Sequence, residues 1–369
     1  MVDQTKRVPW FRQRRWRIVL VVVMVLLAIW GGLRWDRRRR ALYRVTILPT
    51  LGEKSTFPCE INDHGQIVGI SRMGDGEFRL VLWEHDNGIQ DLGPICQSGV
   101  DINDDGWIAG TMLDASGNKQ AFIRDPNGVR MMLGTLGGPT SSARKLNDKN
   151  QVVGFSETNS GAGHAFLWDA AGGMVDLGTL GGASSWAKTI NNAGLVFGYA
   201  DTAVPGMEPF LWDPNDGMVA LPMQHATDLN NKSHVIGEIH VKGRGYYAAT
   251  WRKETGPVRL FPFDRRMVDA PMINDAGQVL YREVCEGSWV RFRDRLPLLR
   301  RGAYWRQSYL WDPQRGRVSI AQWVPTRFGE EFDLEGLNNK GCIIGRLTSK
   351  DQKRVRAVLL EPIAEKWEK

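Results

Sequence analysis

The chain has 369 residues, 42% of them hydrophobic, which is enough for one large domain or two ordinary ones. Its formal charge of +7 comes from one end: residues 1–44 hold 12 of the 48 Lys and Arg and two of the 41 acids, leaving 36 bases against 39 acids in the remainder. A slightly acidic body excludes nucleic acid as a partner, because that partner needs a basic surface.

In chain order, a basic flank at residues 1–17 precedes an uncharged apolar run at residues 18–33. As a helix this run spans roughly 24 Å against a hydrocarbon core near 30 Å. Trp16, Trp30 and Trp35 then lie at the interfaces while Arg17 and Arg34 snorkel. The pattern predicts one transmembrane helix serving as an uncleaved signal anchor, with membrane contact through residues 18–33. A cleaved signal peptide is the competing reading, but no small-x-small site follows, and Trp30, Arg34 and Trp35 occupy its place. Six basic residues flank the run on each side, so the positive-inside rule nearly cancels. An Arg-rich linker, residues 34–42, follows.

Residues 43–363 repeat, with residues 364–369 left as a tail. An apolar residue followed by Asn recurs at Asn62, Asn103, Asn147, Asn191, Asn230, Asn274 and Asn338, in steps of 41, 44, 44, 39, 44 and 64. Each Asn leads through a polar, Gly-containing turn into a short β-rich run, as at Ile67, Val68 and Gly69, which reads as strand A, a tight turn and strand B. A third run ends at Trp83, Arg124, Trp168, Trp212, Trp251, Trp311 and Leu360, and in the first five repeats it ends 21 residues after the Asn. A turn such as Asp213, Pro214 and Gly217 and a fourth run complete strands C and D. Four short strands in such a repeat make a β-propeller blade, and the Trp column reads as core between blades.

The ends of the repeat region predict how it closes. Residues 45–52 match residues 174–181 as an orphan strand D, whereas residues 357–360 form a strand C with no D behind them. The expected fold is all-β: a seven-bladed β-propeller closed by the N-terminal strand and preceded by one transmembrane helix. Closure removes exposed sheet edges. An open solenoid is the alternative, and it has no place for the orphan strand.

Gly163, His164, Ala165, Phe166, Leu167 and Trp168, followed by residues 176–182 (DLGTLGG) and Ile190-Asn191, resemble the HAF repeat family. The likeness runs over residues 43–363 and is strong here and at residues 132–138. It degrades elsewhere, with Gln120-Ala121-Phe122 and Glu208-Pro209-Phe210 at the triplet. The resemblance implies export and repetition and supplies no catalytic residues. The name-giving His occurs once, which argues against a repeated ligand role.

Candidate chemistry is sparse. Asp101, Asn103, Asp105 and Gly106 match the start of a calcium loop, yet Met112 stands at the twelfth position and an A-to-B turn wants the same residues, so no metal is expected. The six histidines share no ligand spacing. Ser141, Ser142, Ser184 and Ser185 precede strand A without a nucleophile elbow and read as small residues near a crowded axis. Cys59 and Cys96 could pair in an exported domain; free or buried thiols are preferred for all four cysteines, Cys285 and Cys342 included. Glu60, Asp101 and Asp228 stand two before their Asn and could converge on the axis with Lys145 as a central ring of satisfied charges.

The largest departure from the period is 37 residues between Asn274 and Trp311. There Trp289, Arg291, Phe292, Arg293, Arg295 and Trp305 suit an anionic or glycan partner, with a solvated insertion as the bland reading. The variable B-to-C and D-to-A connections share one face, where function is expected, pointing away from a membrane beneath the tight turns. The reading is a single-pass, extracytoplasmic, non-catalytic binding or scaffolding module with a protein or glycan partner and no cofactor. The alternative is a propeller hydrolase or lyase acting on glycans, its carboxylates drawn from several blades.

Overall fold

The computed structural model describes residues 42–52, 55–96, 99–241, 245–260, 268–285, 305–320, 323–324, 330–349, 351 and 354–364. The expected anchor at residues 18–33 and most of the insertion, residues 286–304, lie outside them. Among the described residues the regular elements are β-strands throughout. Five repeats each form a four-stranded antiparallel sheet in the order A, B, C, D; the repeat at residues 137–176, for instance, comprises Gly137–Leu146, Val152–Thr158, Gly163–Asp169 and Gly173–Asp176. An eight-stranded sheet holds the first and last repeats together with Tyr43–Ile47, which pairs with Val355–Pro362. Leu48 N donates to Ala357 O at 2.9 Å, extending that pairing by the expected orphan strand.

The Asn that marks the period does two jobs at once. Asn62 Oδ1 accepts from His64 N and Gln66 N at 3.1 and 2.9 Å, closing its own turn. Its Nδ2 donates to Asn103 O, the same position in the next repeat, at 2.9 Å. The pattern continues from Asn103 to Asn147, Asn191, Asn230, Asn274 and Asn338, and Asn338 Nδ2 returns to Asn62 O at 2.9 Å. All seven side chains are buried. A short amide places its acceptor and its donor on separate atoms that reach in different directions, whereas an ionised Asp has no donor and a Ser hydroxyl would have to serve the turn and the next repeat from one atom. The next residue, always Asp or Asn, adds a second cycle: each backbone N donates to the Oδ1 of its counterpart one repeat on, at 2.7–3.1 Å.

The core is a series of interfaces between consecutive sheets. Ala109, Ala121 and Ile123 of one repeat pack with Ala143, Leu146, Val152 and Phe166 of the next, and the pattern recurs around the molecule. Phe122, Phe166 and Phe210 are fully buried at equivalent positions, and Trp83 and Trp168 are buried members of the Trp column. Phe166 and Trp168 face one neighbouring sheet while Ala165 and Leu167 face the other, so apolar burial on both faces holds the sheets face to face. One expectation needs correction: Ser141 and Ser185 lie inside strand A, which begins earlier, at Gly137 and Gly181. Their buried hydroxyls join repeats, accepting from Ala121 N and Ala165 N at 3.0 and 2.9 Å and donating to Gly134 O and Gly178 O. Strand A persists there because the hydroxyl satisfies groups on the neighbouring sheet.

Candidate functional site

Strand A carries a β-bulge in six of the repeats, between Pro58 and Glu60, Ala143 and Lys145, Ala187 and Thr189, Ala226 and Asp228, Asp269 and Met272, and Leu334 and Gly336. A bulge sets two residues against one on the partner strand and re-aims side chains. Strand B supplies the room: a Cβ on Gly154 would lie 2.0 Å from Ser142 O, and one on Gly198 2.2 Å from Trp186 O. Glycine is therefore the residue that tolerates the approach. The result is that two consecutive residues, three and two before the Asn, line one cavity.

That cavity measures about 770 Å³ and is walled by the strands A and the Asn turns. The row two before the Asn contributes Glu60, Asp101, Lys145, Thr189, Asp228, Met272 and Gly336. Lys145 Nζ donates to Glu60 Oε2 and, at 3.0 Å, to Asp101 Oδ1. Asp101 Oδ2 accepts from Leu146 N of the next repeat at 2.7 Å. Asp228 repeats that device, accepting from Ile273 N at 3.0 Å and from Leu229 N at 2.9 Å. Burial pushes the Asp101 carboxyl up to about 6, partly offset by the Lys145 ammonium and reinforced by Glu60. Asp228 is likewise raised by burial, and the backbone N–H groups of Ile273 and Leu229 pull the other way. Lys145 titrates well above an ordinary lysine: the two carboxylates outweigh the largest single influence, its own desolvation.

The structure thus brings Glu60, Asp101 and Lys145 into contact and places Asp228 on the same wall. The row three before the Asn, Cys59, Val100, Arg144, Lys188, Thr227, Pro271 and Glu335, was missed by sequence reasoning, because strict strand alternation turns it away from the axis. The legible signal was the glycine seven residues after each Asn, at Gly69, Gly110, Gly154, Gly198, Gly237 and Gly345, with Tyr281 as the exception. Glu335 accepts from Arg346 at 3.1 Å. The Cys59 thiol is pushed up to about 12, first by burial and then by Glu335, Glu60 and Asp101, so it stays protonated and is a poor nucleophile. Cys59, Cys96 and Cys342 are free.

The other expected sites fare differently. Trp289, Arg291, Phe292, Arg293 and Arg295 lie outside the described residues, and Trp305 opens the strand Trp305–Asp312. In the loop compared with calcium sites, both Asp101 oxygens are engaged as above, and Asn103 Oδ1 accepts from Trp107 N at 2.9 Å. The cavity is rimmed by the tight turns, through Asp63, Asp104, Asp148, Asn192, Asn231, Asp275 and Asn339. The expected functional face was the opposite one.

No family model and no curated protein matches the sequence. Solved structures do. The β-propeller domain of the Trilobed protease from Pyrococcus furiosus aligns with a TM-score of 0.57 and 11% identity over 83% of this chain and 95% of that one. An oligogalacturonate lyase in complex with manganese gives 0.54 and 11% over 89% of this chain and 100% of that one. The acylaminoacyl peptidase of Pyrococcus horikoshii gives 0.54 and 13% over 84% of this chain and 52% of that one, so the chain spans about half the length of the peptidase. At such identities the likeness establishes the fold alone, and that fold is the β-propeller.

Proposed function

We propose that the chain is a membrane-anchored, seven-bladed β-propeller, completed by its N-terminal strand, that works outside the cytoplasm as a non-catalytic binding module with the axial cavity as its ligand site. The cycle of Asn bonds from Asn62 round to Asn338 and back, and the pairing of Tyr43–Ile47 with Val355–Pro362, support seven blades with a composite last one. The apolar run at residues 18–33 supports the anchor, and the resemblance to HAF repeats supports export. Trp289, Arg291, Phe292, Arg293, Arg295 and Trp305 belong to this reading as contacts for a protein or glycan partner on the face away from the membrane.

One observation carries the non-catalytic reading: the acids in the deep wall are already engaged. Glu60 and Asp101 share Lys145, Glu335 pairs with Arg346, and Asp228 accepts two backbone N–H groups. Hydrolysis or elimination on a glycan needs an acid and a base free to exchange protons with substrate. The oligogalacturonate lyase, matched over its whole length, is an enzyme of this fold, so the test must be able to find turnover. The full chain in detergent, incubated with oligogalacturonate and a panel of neutral glycans and peptides, is expected to give no turnover. Turnover that disappears in Glu60→Gln or Asp101→Asn would replace this reading with the enzymatic one.

A further inference from the structure

Two cations in the cavity have been left out of the network. Arg144 and Lys188 hold the same bulge position in neighbouring repeats, and both line the cavity. Both are exposed within it. Among the described residues neither forms a hydrogen bond or an ion pair, while every acid of the deep wall is committed elsewhere. Asp228, the acid that acts on Lys188, spends its two oxygens on Leu229 N and Ile273 N. The remaining members of the row are uncharged (Cys59, Val100, Thr227, Pro271) or paired (Glu335). Four other carboxylates, Asp63, Asp104, Asp148 and Asp275, stand in the rim turns and not in this row, so Arg144 and Lys188 are the two cations of the lining left without a bonded partner among the described residues.

We infer that Arg144 and Lys188 form the anion-binding subsite of the axial cavity and take the carboxylate or phosphate of a small hydroxylated ligand such as a sugar acid or sugar phosphate. A guanidinium fork matches two oxygens of an oxyanion, and an adjacent ammonium adds a point charge without demanding one orientation. A cavity of about 770 Å³ holds a mono- or disaccharide, and the rim carboxylates, although joined to neighbouring turns, keep further lone pairs that accept from hydroxyl groups. This rests on the reading of the cavity as a ligand site and names the chemistry of that ligand.

The test is calorimetric titration of the full chain in detergent with galacturonate, glucose 6-phosphate and neutral galactose, on wild type and on R144Q/K188Q. At least one anion should bind saturably, with galactose and the double variant each weaker by about tenfold or more, as loss of charge-assisted hydrogen bonds implies. Which anion binds identifies the source of the oxyanion. An unchanged thermal midpoint confirms that the variant is folded. Displacement of the bound anion from wild type by inorganic phosphate tests the same point without any variant. Equal binding of galactose, undiminished binding by a folded R144Q/K188Q, or no binding of either anion overturns the proposal. Turnover of a bound anion would end the non-catalytic reading and leave this subsite standing, whereas capture of a neutral glycan alone would do the reverse.

Discussion

Two neighbouring parts of the cavity wall, built on the same strands and one residue apart, behave in opposite ways. Lys145 reaches back to Glu60 and Asp101 in the two preceding repeats, and Asp101 in turn holds Leu146 N, so this part is a closed, internally neutralised joint between sheets. Arg144, its immediate neighbour, and Lys188 bond to nothing in the described structure. The difference is made by the bulge, which sends one residue sideways into the adjoining repeat and the next into the water of the cavity. Charge on an axial wall is therefore not one property: one row stabilises the fold, and the other is available to a ligand.

The largest expected effect comes from breaking the closed part. Lys145→Met leaves Asp101, 2% exposed, and Glu60 without their cation and should cost about 3–5 kcal/mol, the usual penalty for stranding a buried charge. Denaturant midpoints measure it. The penalty should depend on pH with a definite sign. Asp101 is raised to about 6, and removing Lys145 raises it further, so acidification through that range neutralises the stranded carboxyl and narrows the gap between variant and wild type. A gap that widens on acidification would mean that the pair does not hold the joint.

Next come the devices that create the two rows. Gly154→Ala places a Cβ against the Ser142 carbonyl and should cost about 3 kcal/mol, since backbone cannot yield as a side chain can. Asn338→Ala removes the bond back to Asn62 together with the two turn amides held by Oδ1, from Lys340 and Cys342, and should cost about 1–3 kcal/mol. Asn147→Ala removes the corresponding bonds and one more, from Nδ2 to Gln151 Oε1. Comparable losses in chemical denaturation, with Asn147 the larger by no more than that bond, are expected of a closed ring. A loss at Asn147 with none at Asn338 would mark the junction of first and last repeats as open.

Sequence made some of this readable and concealed the rest for a physical reason. The Asn period located every A-to-B turn, because a single residue type satisfies the turn and the neighbouring repeat together. The same register identified Glu60, Asp101, Lys145 and Asp228 as one row. The row of Arg144 and Lys188 stayed hidden because a bulge breaks the alternation that strand reading assumes. Ser141 and Ser185 read as small residues preceding strand A, because the amides that their hydroxyls serve, Ala121 N and Ala165 N, belong to another repeat and leave no local signal. The Arg and aromatic insertion lies mostly outside the described residues, and the Asn and Asp side chains of the tight turns rim the cavity, which their near-constant length in the sequence did not signal.

The smallest effect is the one that most sharpens the comparison. Arg144→Gln removes no hydrogen bond and should change stability by no more than about 0.5 kcal/mol at neutral pH, as at an ordinary accessible position. It should nevertheless change how stability responds to alkali. Lys188 is held below an ordinary lysine chiefly because the surrounding wall strips its solvation, with Arg144 adding repulsion and Asp228 opposing both. A lysine depressed in the fold binds fewer protons than in the unfolded chain between its two pKa values, so stability rises with pH across that interval, below about 10.5. The stability of wild type relative to Lys188→Gln should rise with pH below about 10.5, because the alkaline loss from the raised Cys59 and Cys342 thiols is common to both, and the same difference taken in an Arg144→Gln background should rise less as Lys188 returns toward its ordinary value. If Arg144→Gln leaves the slope as steep as in wild type, the two cations do not sense each other, and they cannot act together on one oxyanion.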